Sequence, residues 1–484
     1  MNRIFLVGTA IAGCAALSFA AQAQNAGGAG RGAAAPAGPP PSEEYLLLGD
    51  ASRGAGEPMI AVNPVDPNNI IAVAMGNRFD VVRDTPKSTI TWTAITHDGG
   101  KSWKTGELPI IVDNDLVRCP DSMIDVTKDG KFLAGCEPIQ IANPRYGKSA
   151  YVISSDKGQT WGPVVDVISS LSVDKYAPGL KPKTLNSLPF DRPFTYIDDS
   201  TGIVWGQGAG GQTELDAPLG QSRPQSYITA STDGGKSFGT VYAWDSKEYL
   251  QFGRGIAMTA GHGEAAVIYV AAKAPAKENA KCPCAVMGIT KNLGKTFEYH
   301  VLKEFVPPAG QPPAPGGGER FTSNGGLASI SSDFTKAGRY ALLKYSMVNG
   351  APQFSVLVSD DHGKTWAPPV LAAKVPDAVS FDRQFAFEYG RNGVLAIAWR
   401  AVYADTSYDV WSSISKDGGH SFSQPYRVSR AKSPANISRG ITPQNDDVVD
   451  LSMDNNNVHM VWGDSRAGFV GTWYGRVSLS AYKF

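Results

Sequence analysis

One octapeptide pattern occurs six times along the chain, and it constrains the fold more than any other feature of the sequence. The pattern is Ser/Thr-x-Asp-x-Gly-x-Ser/Thr-Trp/Phe, with Asn292 in place of the Asp in one copy. The copies are THDGGKSW (96–103), SSDKGQTW (154–161), STDGGKSF (231–238), TKNLGKTF (290–297), SDDHGKTW (359–366) and SKDGGHSF (415–422). Self-similarity of this kind predicts an array of equivalent structural units.

Each position of the octapeptide suits a tight turn. A short carboxylate accepts hydrogen bonds from backbone N–H groups of the turn, glycine adopts positive φ at low cost, and the closing aromatic ring packs the turn onto a sheet. Copies in separate units cannot all converge on one pocket. We therefore interpret the pattern as structural, and not as a catalytic or calcium site.

The octapeptide resembles the Asp box of the bacterial neuraminidase repeat, which is found in sialidases and related β-propellers. The copies carry this resemblance over residues 96–422. The resemblance implies an all-β propeller in which each box forms the turn between the third and fourth strands of a blade. It implies little about activity, since Asp boxes also occur in other glycoside hydrolases, lyases and non-catalytic propellers.

The segments around the boxes fit this template. Short β-branched and aromatic runs are separated by turn residues, and no stretch keeps a helical period. The runs PMIAVNP (58–64), IIAVAMG (70–76) and STITWTAIT (88–96) precede the first box, and ELPIIVD (107–113) follows it. Inner strands are expected near 193–198, 255–259, 326–331 and 384–388 of the later blades.

The N-terminal segment supplies the strand that the last blade lacks. Three runs, 448–452, 458–463 and 473–479, follow the sixth box without a box of their own, and the segment EYLLLG (44–49) is unused. Pairing EYLLLG with the last run closes the ring and removes an exposed sheet edge. We predict seven blades in a single domain over residues 43–484, whereas the boxes alone would suggest six blades.

The N-terminus predicts export. Arg3 precedes an apolar run over residues 4–21, and Ala21-Gln22-Ala23 offers a signal-peptide cleavage site. Residues 24–42 are rich in Ala, Gly and Pro and predict a disordered leader. We predict that residues 1–23 are removed and that the protein is secreted or periplasmic, without a membrane span. A lipoprotein attached through Cys14 is the less favoured alternative.

Removal of the signal peptide leaves four cysteines, Cys119, Cys136, Cys282 and Cys284. An even number in an exported protein favours disulfides, and we favour the pair Cys119–Cys136. A local disulfide, two free thiols and half of a metal site all remain open for Cys282 and Cys284. Because no His or Cys nearby completes a zinc pattern, we predict no metal and no cofactor.

The charges balance, with 45 Lys and Arg against 45 Asp and Glu, and this argues against a nucleic-acid-binding protein. We expect a monomer. In the propeller template, however, arginines recur where the chain enters the inner strands or leaves the second strands, around a central funnel. The members of this set are Arg192, Arg254 and Arg383 before or in inner strands, and Arg78, Arg400 and Arg466 after second strands.

Two interpretations of this arginine set remain open. Several guanidinium groups around a funnel bind the carboxylate or sulfate of an acidic sugar, often in a bidentate manner. Alternatively, each arginine pairs with a nearby aspartate, such as Asp191 or Asp382, and holds neighbouring blades together.

The resemblance to sialidases covers the catalytic residues only in part. Sialidases carry a Phe/Tyr-Arg-Ile-Pro motif at the first inner strand, an acid/base Asp and a Tyr-Glu nucleophile pair. The corresponding segment here, Gly56-Glu57-Pro58-Met59-Ile60, contains no Arg. The candidate catalytic residues are Asp80 in the first blade, Asp121 at the second inner strand, and Tyr403 and Tyr408 late in the chain.

These observations favour an exported, sialidase-like propeller that binds or acts on glycans or other anionic extracellular ligands, with glycoside hydrolysis as a candidate activity. The main rival is a non-catalytic binding or assembly propeller that uses the same face. A polysaccharide lyase acting on uronic-acid glycans is a second alternative. A histidine-dependent lyase has little support, since His97, His362 and His420 all lie inside Asp boxes.

Overall fold

The protein is described by a computed structural model that covers residues 43–50, 53–77, 89–110, 117–140, 148–169, 172–178, 180, 194–210, 225–251, 255–272, 284–306, 325–434 and 448–484. The predicted signal peptide and leader lie outside these residues. Within them, the regular elements are strands, apart from a 3-10 helix at Val173–Lys175. The all-β prediction is confirmed. None of the described helical residues forms a helix long and apolar enough to cross a membrane.

Seven small antiparallel sheets form the blades of a propeller. The chain enters through β1 (Glu43–Leu48), and blade one contains β2 (Gly54–Val62), β3 (Ile70–Asn77), β4 (Thr89–Thr96) and β5 (Lys104–Glu107). A ladder of β6 (Val117–Arg118) and β9 (Ile139–Gln140) accompanies blade two, which contains β7 (Met123–Val126), β8 (Phe132–Cys136), β10 (Lys148–Ser154) and β11 (Val165–Ser169). Blade three contains β12 (Thr195–Ile197), β13 (Val204–Gly210), β14 (Gln225–Ser231) and β15 (Tyr242–Ala243).

The remaining blades follow the same order. Blade four contains β16 (Leu250–Gln251), β17 (Ala257–Gly261), β18 (Glu264–Ala272), β19 (Cys284–Thr290) and β20 (Glu298–Val301). Blade five contains β21 (Leu327–Ser332), β22 (Tyr340–Val348), β23 (Ala351–Ser359) and β24 (Val370–Lys374). Blade six contains β25 (Ser380–Tyr389), β26 (Leu395–Val402), β27 (Tyr408–Ser415) and β28 (Tyr426–Arg427), and blade seven contains β29 (Val449–Met453), β30 (Asn457–Asp464) and β31 (Gly471–Ser478).

The ring is closed by the two ends of the chain. Strand β1 pairs antiparallel with β31, from Glu43 opposite Arg476 to Leu48 opposite Thr472, and becomes the outer strand of blade seven. The inner strands β2, β7, β12, β17, β21, β25 and β29 contact one another in cyclic order. The prediction of seven blades closed by an N-terminal strand is confirmed, and the alternative of six blades is wrong.

The core lies between neighbouring blades. The largest fully buried side chains include Trp205, Trp399 and Trp462, and each of them lies on the second strand of its blade. The second strands β3, β18 and β26 are rich in Ala, Val and Ile, because both faces of a blade pack against other blades. The long apolar runs in the sequence therefore correspond to strands covered on both sides.

The Asp boxes form the turns between third and fourth strands, as predicted. In the first box the Thr96 hydroxyl donates to Asp98 Oδ1 at 2.7 Å, and the backbone N–H groups of Lys101 and Ser102 donate to the same oxygen at 3.0 and 2.9 Å. Gly100 has a φ of 91°. The hydrogen bond from the Ser102 hydroxyl to Oδ2, at 2.6 Å, and then those from the Ser102 N–H and the Thr96 hydroxyl, hold the pKa of Asp98 well below its usual range, so the box carboxylate is charged within its own turn.

The fourth strand of blade one begins earlier than the sequence suggested. The expected run was 107–113, whereas β5 covers Lys104–Glu107 and pairs with residues Trp92 to Ile95. The Asp box returns the chain directly to the sheet edge, so pairing starts immediately after Trp103. Leu108 and Ile110 are buried after the strand has ended, which explains the apolar run.

Candidate functional site

A cavity of about 720 Å³ lies at the centre of the ring. Every blade contributes its inner strand to the wall. One lining residue from each blade in turn is Ile60, Asp125, Ile197, Met258, Ile330, Glu388 and Asp450. A cavity of this size is typical of a small-ligand site, and we refer to it as the channel.

The strand order defines the two ends of the channel. Each inner strand turns into a second strand on the face that carries the Asp boxes, and it starts on the opposite face, where one blade leads into the next. We call the opposite face the rim. Its lining residues include three carboxyl groups, Glu57, Asp121 and Glu137. Three further carboxyl groups lie along the inner strands themselves, Asp125, Glu388 and Asp450, and we call these the floor carboxyls.

Two rim residues occupy a backbone region that side chains rarely adopt. Glu57 has a φ of 49° and Asp121 a φ of 50°, and each stands two residues before a methionine of its inner strand, Met59 or Met123. Glu57 lies in a β-bulge of blade one, between Gly56 and Met59. Non-glycine residues in this conformation are concentrated at ligand sites, where the surrounding structure holds them. Asp121, which the sequence predicted as a candidate catalytic residue, thus lies in the channel wall.

A disulfide connects two parts of the rim. It joins Cys119, two residues before Asp121, to Cys136, which directly precedes Glu137. The backbone N–H of Glu137 also donates to Pro120 O at 2.9 Å. Disulfide and hydrogen bond together hold the two rim carboxyl residues on adjacent segments of blade two.

We expect replacement of both Cys119 and Cys136 by serine to lower the free energy of unfolding by about 3 kcal/mol, because the disulfide closes a loop with a sequence separation of 17 residues. Urea denaturation measures this loss. Reduction also breaks the disulfide of Cys284, so the matched control compares wild type and variant that are both reduced, and these two should show the same midpoint. Equal midpoints for oxidised wild type and variant would contradict the expectation.

The second cysteine pair is only partly described. Cys284 takes part in a disulfide, and Cys282 lies outside the described residues. Cys284 is therefore neither a free thiol nor a metal ligand here. No group of three or more His, Cys, Asp or Glu residues suited to a metal ion occurs in the described part of the chain.

The floor carboxyls are deep in the protein and reach solvent through the channel. Burial raises the pKa of Asp125 and of Asp450 to about 7. Burial, followed by repulsion from Asp450 and Asp125, raises the pKa of Glu388 well above its usual value. Protons are therefore retained on this group of carboxyls near neutral pH, because several negative charges in one poorly hydrated space are unfavourable.

Two of the floor carboxyls also hold blades together. Asp450 Oδ2 accepts a hydrogen bond of 2.8 Å from the backbone N–H of Ile60 in blade one. Asp125 accepts hydrogen bonds from the backbone N–H groups of Val126 and of Ile197 in blade three. The inner strands of neighbouring blades do not pair with each other in a β-ladder. Side chains from the next blade therefore accept hydrogen bonds from the backbone N–H groups on the unpaired edges of the inner strands. Thr259 and Ser331 do the same for Ser332 and Tyr389.

Glu388 differs from its two neighbours on the floor. Within the described residues it accepts no hydrogen bond and forms no ion pair, and its electrostatic neighbours are Asp450, Asp125 and Arg391. A half-buried carboxyl group with a raised pKa that the fold does not use is the usual form of a catalytic acid.

Aromatic side chains lie beside the carboxyl groups. Phe194, Tyr196, Phe334, Phe385 and Phe387 line the channel, from blades three, five and six. Flat apolar faces next to hydrogen-bonding groups suit ligands with both apolar and polar surfaces, such as sugar rings.

The structure places two predicted arginines away from the channel. Arg400 is fully buried, donates from Nη2 to Gly463 O at 2.9 Å, and lies over the ring of Tyr408 at 4.8 Å. Arg466 pairs with Glu44 and Asp464, both at 2.6 Å. These contacts join blade six to blade seven, and blade seven to its closing strand. They correspond to the interpretation in which arginines hold the ring together.

The two predicted tyrosines are also engaged elsewhere. Tyr408 is buried and donates to Gly463 O at 2.7 Å. Tyr403 donates to Asp409 at 3.2 Å, and the ammonium group of Lys432 lies over its ring. Neither tyrosine lines the channel. Tyr408 lies on β27, the third strand of blade six, and Tyr403 lies in the loop before β27. The inner strand β25 lies between this part of the blade and the channel.

The other predicted residues are not described. Arg78, Asp80, Arg192 and Arg254 lie outside the described residues, and for Arg383 only the backbone, within β25, is described. Conversely, sequence reasoning missed Asp125, Glu388, Asp450 and Arg391. The available signal was a carboxylate inside an otherwise apolar inner strand, as in SMIDV, FAFEY and VVDLS.

Comparison with known proteins finds similar solved structures only at low sequence identity and low TM-score. No protein-family model and no curated protein matches the chain. A protein of unknown function from Dyadobacter fermentans is 12% identical, with a TM-score of 0.44, over 90% of this chain and 99% of that one. A sialidase from Trypanosoma rangeli is 11% identical, with a TM-score of 0.45, over 91% of this chain and 59% of the sialidase. An α-L-arabinofuranosidase from Fusarium graminearum is 12% identical, with a TM-score of 0.43, over 88% and 94%. Similarity at this level says nothing about activity.

Proposed function

We propose that the channel binds the end of a glycan and that the protein is an exported glycoside hydrolase. One observation carries this proposal: the channel combines Glu388, a carboxyl group with a raised pKa that forms no hydrogen bond among the described residues, with the rim carboxyl groups. Hydrolysis of a glycosidic bond usually requires one carboxyl group that donates a proton and a second that acts as base or nucleophile.

Glu388 is the proposed proton donor. Its pKa is raised well above the usual value, so the group keeps its proton to higher pH than an ordinary glutamate and is suited to deliver it to the leaving glycosidic oxygen. Asp125 and Asp450 are less suitable for this role because each is bound to a backbone N–H of the next blade.

Asp121 is the proposed second carboxyl group. It lies at the rim and lines the cavity. The left-handed backbone at Asp121 and the neighbouring disulfide restrict its position. A carboxylate restricted in this way is pre-organised for attack, or for activation of a water molecule.

For the remaining residues predicted from the sequence, we propose positions at the rim. Arg192, Arg254 and Arg383 are proposed to contact an anionic group of the glycan, and Arg78 and Asp80 to lie near the same mouth. Export and a monomeric state are likewise proposed. The non-catalytic alternative draws support from Asp125 and Asp450, whose backbone contacts show that the fold itself uses carboxyl groups in the channel.

The experiment that tests the proposal measures release of 4-methylumbelliferone from a sialoside and from neutral and uronic-acid glycosides. We expect turnover of at least one of these substrates. Glu388→Gln and Asp121→Asn should each lower kcat by at least about 100-fold while the melting temperature stays close to that of the wild type. Asp129→Asn is the matched control, since Asp129 is exposed, pairs with Lys131 at 2.7 Å and lies outside the channel wall.

Two results would overturn the hydrolase proposal. The first is turnover that both substitutions leave intact. The second is absence of turnover together with binding on a glycan array that Glu388→Gln does not weaken, which would establish the non-catalytic alternative.

A further inference from the structure

One side chain crosses the channel at the Asp-box end. Arg391 follows β25 in the turn that leads to β26, and its guanidinium donates to both carboxylate oxygens of Asp199, at 2.5 and 3.1 Å. Nη2 also donates to Val126 O at 2.7 Å. The guanidinium carbon lies 5.4 Å from the ring centre of Phe334.

These contacts span the ring. Arg391 belongs to blade six, Asp199 to blade three, Val126 to blade two and Phe334 to blade five. In a ring of seven blades, the second and third blades lie on the far side from the sixth. A hydrogen bond from blade six to either of them must therefore pass across the hub, and both Arg391 and Phe334 line the channel there.

Arg391 is also the one cation among the described residues that line the channel. The charged groups that face it are Asp199 from blade three, Asp125 on β7 and Glu388 on its own strand. Asp450 on β29 repels Glu388 and is itself repelled by Asp125. The charge of Arg391 is shared between its direct partner Asp199 and the floor carboxyls.

We infer that Arg391 is a positioning residue, which closes the channel at the Asp-box end and, through Val126 O, anchors the end of β7 beside Asp125 and Glu388, so that ligands reach these two carboxyl groups from the rim alone. The closure itself stands on the contacts of Arg391. Only its consequence for catalysis rests on the proposed function.

The two residues of the Arg391–Asp199 ion pair have opposite effects on the pKa of the floor carboxyl Asp125. Arg391 lowers the pKa of Asp125 and of Glu388, whereas Asp199 raises the pKa of Asp125. Arg391→Met removes a cation and should raise both pKa values. Asp199→Asn keeps the cation and removes the competing anion, so the pKa of Asp125 should fall. Both variants break the same ion pair, and a purely structural role would make them alike.

Infrared spectroscopy across pH tests the inference on the unliganded protein. The carbonyl band of protonated carboxylic acids is assigned through its loss in Glu388→Gln and in Asp125→Asn. We expect the titration midpoint to move up by about one pH unit in Arg391→Met, to stay in place in Arg391→Lys, and to move down for Asp125 in Asp199→Asn. Midpoints unchanged in Arg391→Met, or shifted the same way in Asp199→Asn, would overturn the inference. If Arg391→Met does not fold, the direction in Asp199→Asn decides.

A kinetic measurement adds the link to function. If glycosides are cleaved, the alkaline limb of the pH dependence of kcat/KM should follow the infrared midpoint upward in Arg391→Met, because the donor keeps its proton to higher pH. If the infrared midpoint shifts in Arg391→Met but the alkaline limb of kcat/KM does not, the proposed role of Glu388 is wrong. The anchoring role of Arg391 would remain in place.

Discussion

A chain that starts at Gly49 is expected to lose the cooperative unfolding transition of the propeller, or to melt at least about 5 °C below a chain that starts at Glu43. The truncation removes β1, which is the outer strand of blade seven. Leu47 and Leu48 are buried in a cluster with residues of blade one, and burial of each stabilises the fold by roughly 1.5–3 kcal/mol. For the two leucines together the loss is roughly 3–6 kcal/mol, which is comparable with the lower end of the stability of a typical domain, about 5–15 kcal/mol.

Polar contacts make the same strand a link between the first and last blades. Tyr45 donates to Gly100 O at 2.6 Å in the first Asp box and accepts from Trp103 Nε1. Glu43 pairs with Arg476 at 2.6 Å. Removal of β1 therefore also exposes the edge of β31, which favours association between molecules.

The experiment compares the two chains by circular dichroism and calorimetry. The chain from Glu43 is the matched control, because it lacks the predicted signal peptide and leader and retains β1. Leu48→Asp in that chain should reproduce part of the destabilisation. Equal melting temperatures for the two chains would contradict closure of the ring by β1.

The second large effect is a loss of stability as the pH rises from about 4 to about 7. Folding raises the pKa of Asp125 and Asp450 from the ordinary value to about 7, so the folded state binds more protons than the unfolded state over this interval. The resulting stabilisation is complete below the unfolded pKa and is lost as the pH passes through the folded pKa. The shift corresponds to as much as about 4 kcal/mol for each group.

Amide substitutions isolate this effect. Asp125→Asn and Asp450→Asn keep an oxygen that accepts the backbone hydrogen bond and remove the titrating proton. We expect the double variant to flatten the dependence of the melting temperature between pH 5 and pH 8, measured by calorimetry. The control Asp129→Asn should retain the slope of the wild type. A wild-type protein that is more stable at pH 8 than at pH 5 would contradict the assignment.

The Asp boxes act in the opposite direction at lower pH. Hydrogen bonds within the turns lower the pKa of Asp156 and Asp361 to about 2. Their contribution is present above the unfolded pKa and is lost only as the pH falls toward about 2. The two sets of carboxyl groups thus place the region of greatest stability in mildly acidic solution.

The architecture could be predicted because its signals are local. An Asp box makes its hydrogen bonds within eight residues, so the composition of each octapeptide reports the turn directly. The strand β1 was recognisable as an apolar run without a partner at one end, matched by a missing strand at the other. Even the rim position of Asp121 followed from its place before an inner strand.

The candidate site could be predicted only in part, because its residues meet through the closure of the ring. Arg400 and Arg466 follow second strands, as the template required, but packing between blades turns them toward Gly463, Glu44 and Asp464. Position along a strand indicates a face of the propeller. It does not distinguish the channel from the interface between two blades.

The sequence by itself determined the propeller, the turns of its blades and the closing strand, since each depends on hydrogen bonds and apolar patterns within a short segment. Only the tertiary structure decided which charges share the channel. Asp125, Asp199, Glu388, Arg391 and Asp450 come from four blades and approach one another when the ring closes. Their protonation depends on burial and on one another's charge, and neither exists before the fold is complete.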